Sequence, residues 1–313
     1  MADVSLVMPF LNEEENLNEF VKRLNEYALE QEFLIEAVFV DDGSTDSSTQ
    51  VLRESKSEVP IKLVKLSRNF GSHAAIRAGI TQAEGCYTMF LTADLQEPFS
   101  LIEEMYAKAT EGFDIVAARR VETNVSLSEK VFSKIYTALV RKFAVYDYPK
   151  GGVNNFLFSR KVRIEICKNQ ENNSSIFMQL TNMGFNRAII DVSLGKRYKG
   201  KSKWTLAKKI KLFIDSFVAF SYTPIRAISL IGMLMFAFGF LYALWILVAS
   251  LTGIVAFDTG FPTIISVLLL GFGLTNFSLG IIAEYVWRAL DATRGRPVFI
   301  VDTVEVLSEV KDT

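Results

Sequence analysis

The sequence has one histidine, His73, and two cysteines, Cys86 and Cys167, far apart and without CxxC spacing. That scarcity excludes a multi-histidine metal site, a cysteine-rich zinc site and a disulfide framework, and a reducing compartment fits. A histidine-based catalytic triad has little to draw on. Excess charge of either sign is also missing. Lys+Arg is 34 against Asp+Glu 35, for a formal net charge of -1, which argues against a nucleic-acid partner. No GxGxxG dinucleotide fingerprint occurs. The opening MADVSLVMPF lacks the basic start and long apolar stretch of a secretory leader, so the amino-terminal half is expected in the cytosol.

The chain is 50% hydrophobic over 313 residues, and the excess is concentrated. No charged side chain occurs from Ala227 to Phe257 or from Thr259 to Ala283. Each stretch is long enough, at ~1.5 Å rise per residue, to cross a ~30 Å hydrocarbon core. Two buried helices of a soluble domain are the alternative. Lys208, Lys209, Lys211 and Arg226 precede the first stretch and Arg288, Arg294 and Arg296 follow the second, whereas 250–260 carries no Lys or Arg. The charge bias places both chain ends in the cytoplasm and that connection outside. Residues 204–221 mix lysines with apolar residues and read either as a helix lying at the lipid interface or as a core-facing surface helix.

The first two hundred residues alternate strand and helix patterns, which predicts an α/β fold with a largely parallel sheet. Strands are expected at Val4–Met8, Ile35–Val40, Ile61–Leu66, Cys86–Leu91, Asp114–Arg120, Val153–Phe158 and Ala188–Val192. Helices are expected after Asn12, at His73–Gln82, Ser128–Phe143 and within Gln170–Gly184. Asn12 and Glu15 are spaced as a capping box. Val298–Val301 has strand character near the end.

Polar clusters fall at the ends of strands, where an open α/β sheet binds its ligand. Asp41-Asp42-Gly43-Ser44-Thr45-Asp46 offers carboxylates for a base N–H or ribose hydroxyls; a turn with a helix cap accounts for it equally. Thr92-Ala93-Asp94-Leu95-Gln96 offers a carboxylate for Mg²⁺ or Mn²⁺, and a plain strand-end turn is the alternative. The basic run Lys196 to Trp204 reads as a phosphate pocket or as a membrane anchor. Arg119 and Arg120 form a second basic candidate.

These motifs together resemble family 2 glycosyltransferases of GT-A fold, in the subgroup of polyprenyl-phosphate glycosyltransferases. That subgroup includes bactoprenol glucosyltransferases and dolichyl-phosphate mannosyltransferases. The resemblance is carried by VMPFLNEEENL at 7–17, VDDGSTDSS at 40–48, LSRNFGSHAAIRAG at 66–79, ADLQEP at 93–98, the RxxGKSKW pattern at 197–204 and GRPVFIV at 295–301. It implies a Rossmann-like nucleotide-diphospho-sugar domain at 1–203, an interfacial region at 204–225, two transmembrane helices within 226–283 and a cytosolic tail at 284–313. It implies a metal-dependent transferase in the cytoplasmic membrane, moving a hexose, first choice glucose from UDP-glucose, to undecaprenyl or another polyprenyl phosphate for cell-surface glycan such as O-antigen. GDP-mannose and UDP-N-acetylhexosamine are alternative donors, and a non-catalytic membrane scaffold is the alternative of another class. A downstream flippase and glycosyltransferase would take the product, and a homo-oligomer stays open.

By the same resemblance, Pro9, Phe10 and Glu13 match a nucleotide-contacting loop, and Asp41 and Asp42 the base and ribose contacts. Asp94 matches the metal aspartate, with Gln96 beside it, and Arg119 an arginine of the donor site. Arg197, Ser202 and Lys203 match the loop that holds lipid phosphate; Asp94, Arg197 and Lys203 are the expected catalytic groups. Two positions depart from the pattern. Thr92 stands where many relatives have the first acid of Asp-x-Asp, and Asn154 where they often carry another acid.

Overall fold

The computed structural model describes residues 2–121, 137–138, 141–142, 148–149, 152–169, 175–193, 195, 198, 223–252 and 260–308. The chain divides into two compact units, Met1–Ser216 with Pro297–Thr313, and Phe217–Arg296.

The first unit is an eight-stranded sheet. Its strands are β1 (Val4–Phe10), β2 (Ile35–Asp41), β3 (Ile61–Leu66), β4 (Tyr87–Phe90), β5 (Ile115–Arg120), β6 (Asn155–Ser159), β7 (Arg187–Val192) and β8 (Val301–Ser308). Their order is β7-β5-β6-β4-β1-β2-β3-β8. The β4-β1-β2-β3 centre and the β5-β7 pair are parallel. The sheet is largely parallel, as expected, with two reversed strands: β6 runs antiparallel to both β4 and β5, and β8 antiparallel to β3. The terminal strand starts at Val301, at the end of the Val298–Val301 segment expected to form it.

Alternation along the central strands feeds two cores. Leu6, Met8, Phe10, Ala37 and Phe39 face one side, against Leu17, Phe20 and Leu24 of α1 (Glu14–Leu29), Leu52 of α2 (Ser48–Glu54) and Leu101, Ile102 and Met105 of α4 (Ser100–Thr110). Val7, Val38, Val40 and Val64 face the other. There they meet α3 (Ser72–Gln82), α5 (Arg160–Lys168) and α6 (Ile176–Asn182). Burial on both faces explains why these strands read as mainly apolar runs. A Cβ at Gly79 would lie 2.3 Å from Val7 Cγ1 and 2.8 Å from Val40 Cγ2, so glycine lets α3 seat directly on β1 and β2.

The capping box does not form. Asn12 adopts φ 52° and its Oδ1 accepts from Thr45 N at 2.8 Å, so its side chain ties two loops together instead of closing α1. Most of the helix expected at Ser128–Phe143, and all of the amphipathic segment 204–221, lie outside the described residues.

The second unit holds α7 (Thr223–Leu251, 29 residues) and α8 (Phe261–Thr293, 33 residues). Among the described residues, no helix is long and apolar enough to cross a membrane. Some side chains of both helices fall outside the described set.

Candidate active site

The carboxyl ends of β1, β2 and β4 lie side by side in the sheet, and the loops that follow them carry the polar clusters. The first two loops are stitched together. Asn12 N donates to Ser44 Oγ at 3.0 Å, Glu13 N to Ser48 Oγ at 2.8 Å and Ser47 N to Glu14 Oε2 at 3.0 Å. Glu13 Oε2 accepts from Asn16 Nδ2 at 2.6 Å. Pro9 and Phe10 are still within β1, paired with Val40 and Asp41. The Phe10 ring is in the core, edge-on to Phe39.

Asp41 and Asp42 have different surroundings. Asp41 is fully buried; its Oδ1 accepts from Ser44 N at 2.7 Å, and its buried Oδ2 accepts from nothing among the described residues. An orphaned buried carboxylate oxygen is rare and marks a place for an incoming donor. Asp42 is committed to the chain itself, accepting from Phe70 N at 2.7 Å and Gly71 N at 3.0 Å just before α3. Burial lifts its pKa; the Phe70 and Gly71 amides pull it down, Asp41 pushes it up and Arg68 lowers it. Gly43 makes this crossing feasible. Its φ is +78°, and a Cβ would lie 2.7 Å from Asn69 N. The Arg68 guanidinium sits 4.0 Å over the Phe70 ring in the same loop.

The loop after β4 turns through Leu95 at φ 59°. Asp94 Oδ1 receives Thr92 Oγ1 at 2.7 Å and Gln96 N at 3.3 Å. The group at the centre is one that sequence reading passes over. Glu97, 8% exposed, accepts from Thr92 N at 3.0 Å, and the same oxygen lies 2.9 Å from Thr92 Oγ1, whose single proton it shares with Asp94 Oδ1. Its other oxygen accepts from Asn154 Nδ2 at 2.8 Å and Asn155 Nδ2 at 3.3 Å. Burial pushes the Glu97 carboxyl up to about 7; Asp94 adds to the rise, and the Thr92 and Asn155 donors oppose it. Nothing in the ADLQEP string distinguishes Glu97 from an exposed turn residue. Only the fold, which brings β6 beside β4, gives it two asparagines.

Gln96 and Asp94 also hold a later segment. Gly195 N donates to Gln96 O at 2.8 Å, Tyr198 N to Asp94 O at 3.1 Å and Gln96 Nε2 to Gly195 O at 3.3 Å. A cavity of about 420 Å³ opens here, lined by Arg23, Gln96, Glu97, Phe99, Ser193 and Gly195. The Arg23 guanidinium lies 5.4 Å from the Tyr198 ring centroid. Arg119, expected at the donor site, makes a two-point ion pair with Asp191 of β7 at 2.7 and 2.9 Å. Arg197, Ser202 and Lys203 lie outside the described residues.

Among the described residues, no group of three or more His, Cys, Asp or Glu is placed to hold a metal ion. Three N–H donors engage both oxygens of Glu97, and Asp94 is the other carboxylate of this loop. A hard single-carboxylate donor suits Mg²⁺ or Mn²⁺, which take the rest of their shell from substrate phosphates and water.

Residues 5–194 match the model of the family described as Glycosyl transferase family 2. The chain is 33% identical over 299 residues to an uncharacterized glycosyltransferase of Bacillus subtilis (strain 168), covering 95% of this chain and 92% of that protein. It is 32% identical over 307 residues to the undecaprenyl-phosphate 4-deoxy-4-formamido-L-arabinose transferase of Proteus mirabilis (strain HI4320), covering 96% and 93%. Among solved structures, it is similar to the mannosyltransferase PcManGT of Pyrobaculum calidifontis in complex with GDP-Man and Mn2+. That match has 17% identity and a TM-score of 0.47, over 70% of this chain and 63% of the other.

Proposed function

The chain belongs to glycosyl transferase family 2, and from that premise we propose that it transfers a sugar from a nucleotide donor to a polyprenyl phosphate at the cytoplasmic face of the inner membrane. The observation that carries this reading is similarity along almost the full length, helices included, to a transferase named for undecaprenyl phosphate. UDP-glucose is the proposed donor. A 4-deoxy-4-formamido-L-arabinose donor is the second reading, because the relatives from Proteus and Pseudomonas are named for that sugar.

The unpartnered Asp41 Oδ2 accepts the N–H of the base. Asp42 acts indirectly, by holding the 70–71 backbone. Asp94 would hold a divalent cation, which when bound would supply positive charge for the diphosphate leaving group. The acceptor is a phosphate monoester with a second pKa of ~6, so it arrives largely dianionic and needs little help from a base. One of its oxygens forms the bond to the anomeric carbon as the bond from that carbon to the diphosphate breaks. Arg197, Ser202 and Lys203 hold this incoming phosphate.

α7 and α8 are the proposed membrane spans. At ~1.5 Å per residue both exceed the ~30 Å hydrocarbon core. Leu230, Met233, Phe238 and Trp245 on α7, and Val267, Phe272 and Phe277 on α8, are exposed apolar side chains that lipid would cover. The reading rests on the whole helical sequences, including side chains outside the described set.

Purified protein incubated with undecaprenyl phosphate, Mn²⁺ or Mg²⁺ and a panel of labelled nucleotide sugars is expected to yield a labelled lipid. Absence of lipid-borne label with every donor would overturn the proposal.

A further inference from the structure

Asp94 stands at a strand end, two residues after Thr92, and precedes a residue with positive φ. The backbone approach of Gln96 N to its Oδ1 is long, at 3.3 Å. The Thr92 hydroxyl comes closer to the same oxygen, at 2.7 Å. That hydroxyl is in turn 2.9 Å from Glu97 Oε2, which also takes the Thr92 backbone N–H. Glu97 is pinned from behind by Asn154 and Asn155. A continuous series of hydrogen-bond distances thus runs from β6 through Glu97 and Thr92 to Asp94.

We propose that Glu97 is a positioning residue of the transfer reaction, fixing the Asp94 carboxylate through the Thr92 hydroxyl with Asn154 as its own anchor. Glu97 does not touch substrate. Both its oxygens accept N–H donors, from Thr92, Asn154 and Asn155, and its side chain is buried. The two departures from the family pattern, Thr92 and Asn154, are its hydrogen-bond partners. An acid missing at both positions thus has a counterpart one residue behind Asp94 in the network. Groups that orient a metal-binding carboxylate commonly change metal affinity by 10–100-fold when replaced.

The inference rests on Asp94 as the cation ligand, and the test separates the two claims. Equilibrium Mn²⁺ binding in the presence of UDP, without sugar or lipid, is measured by electron paramagnetic resonance on the full chain in detergent. Thr92→Val and Glu97→Gln are expected to weaken Mn²⁺ binding roughly 10–100-fold. Thr92→Ser, which keeps the hydroxyl, should bind like the parent. The double variant Thr92→Val/Glu97→Gln should be no weaker than the weaker single, because both act through one hydroxyl. Asp94→Asn should lose binding. If Glu97→Gln does not fold, Asn154→Ala, which removes an anchor of Glu97 at a half-buried position, is read in its place, and parent-like binding there overturns the role of Glu97. Parent-like binding by Thr92→Val, or losses that multiply in the double variant, overturns the inference while Asp94→Asn still loses binding. No Mn²⁺ binding by the parent, or undiminished binding by Asp94→Asn, overturns both claims.

Discussion

The Asn154 side-chain amide donates to the Glu97 carboxylate at 2.8 Å, across 57 residues of sequence. The neutral residue at 154 is thus matched to an acid at 97. Asn154→Asp would set two carboxylates at hydrogen-bond distance in a buried place, where one must keep a proton. Stability is expected to fall by about 2 kcal/mol at pH 8 and by less at pH 6, where a shared proton bridges the pair. Urea denaturation at the two pH values checks it.

Glu97 and His73 should drive stability in opposite directions over nearly the same pH range. The Glu97 carboxyl is raised from 4.5 to about 7 in the folded chain. The folded state then holds the extra proton, so this stabilising contribution is complete below pH 4.5 and lost as pH rises through 7. The His73 imidazole is lowered from 6.5 to about 4, first by burial and then by Arg77. Its contribution is complete above pH 6.5 and lost as pH falls through 4. Each shift corresponds to roughly 3 kcal/mol. Thermal melts of His73→Phe should lose the acid-side fall in stability relative to the parent. Those of Glu97→Gln should lose the fall between pH 4.5 and 7. Parallel pH profiles for all three proteins would contradict both assignments.

Gly43→Ala should cost about 1–3 kcal/mol, from positive φ and from a Cβ forced against the Asn69 backbone. Because the loop it displaces carries the amides that hold Asp42, the KM for the nucleotide sugar should rise as well. Melting temperature and donor titration of the same sample read the two effects.

Arg197→Ala and Lys203→Ala should chiefly raise the KM for polyprenyl phosphate, with donor KM little changed. Truncating one partner of a desolvated charge pair costs ~2–5 kcal/mol, and of a solvated pair less. Steady-state titration in detergent checks this. Unaltered acceptor kinetics with weakened membrane association would assign these residues to anchoring alone.

Tags before Met1 and after Thr313 should be shielded in intact cells, and a tag near Asp258 should be reachable from outside. Impermeant labelling of whole and lysed cells tests the two-span reading.

The central strands are legible because burial on both faces leaves apolar stretches such as Ala37–Val40, and Ile61–Leu66, though broken by Lys62 and Lys65, lies where the sequence puts it. Helices α2, α4 and α5 are not among those expected from the sequence; α2 spans only seven residues, too few for a helical period to stand out, whereas Leu101, Ile102, Met105 and Ala109 of α4 do recur at helical spacing. β6 and β8 hide the antiparallel pairings, because strand direction depends on where the connection returns and leaves no periodicity. At the site, Asp41 and Asp94 stand out by their place at strand ends. Glu97 does not, because its burial arises from partners brought in by β6. Family resemblance marks Arg119 as a donor-site cation, and the register of β5 on β7 sets it opposite Asp191. No sequence pattern reports that register.

The β3–β8 pairing also has a cost in time. Ile61 N donates to the Ser308 hydroxyl across 247 residues, and Arg53 and Glu305 close the same long span with an ion pair. A ribosome adding ~5–20 residues each second takes roughly 10–50 s to travel that far. For that interval the nascent β3 has an open edge, available to other chains or to a chaperone. The last strand to emerge therefore acts as a completion seal on a sheet whose other strands can pair before it. Shortening the chain ahead of Val301 is expected to raise aggregation during synthesis more than it changes the chemistry at Asp94.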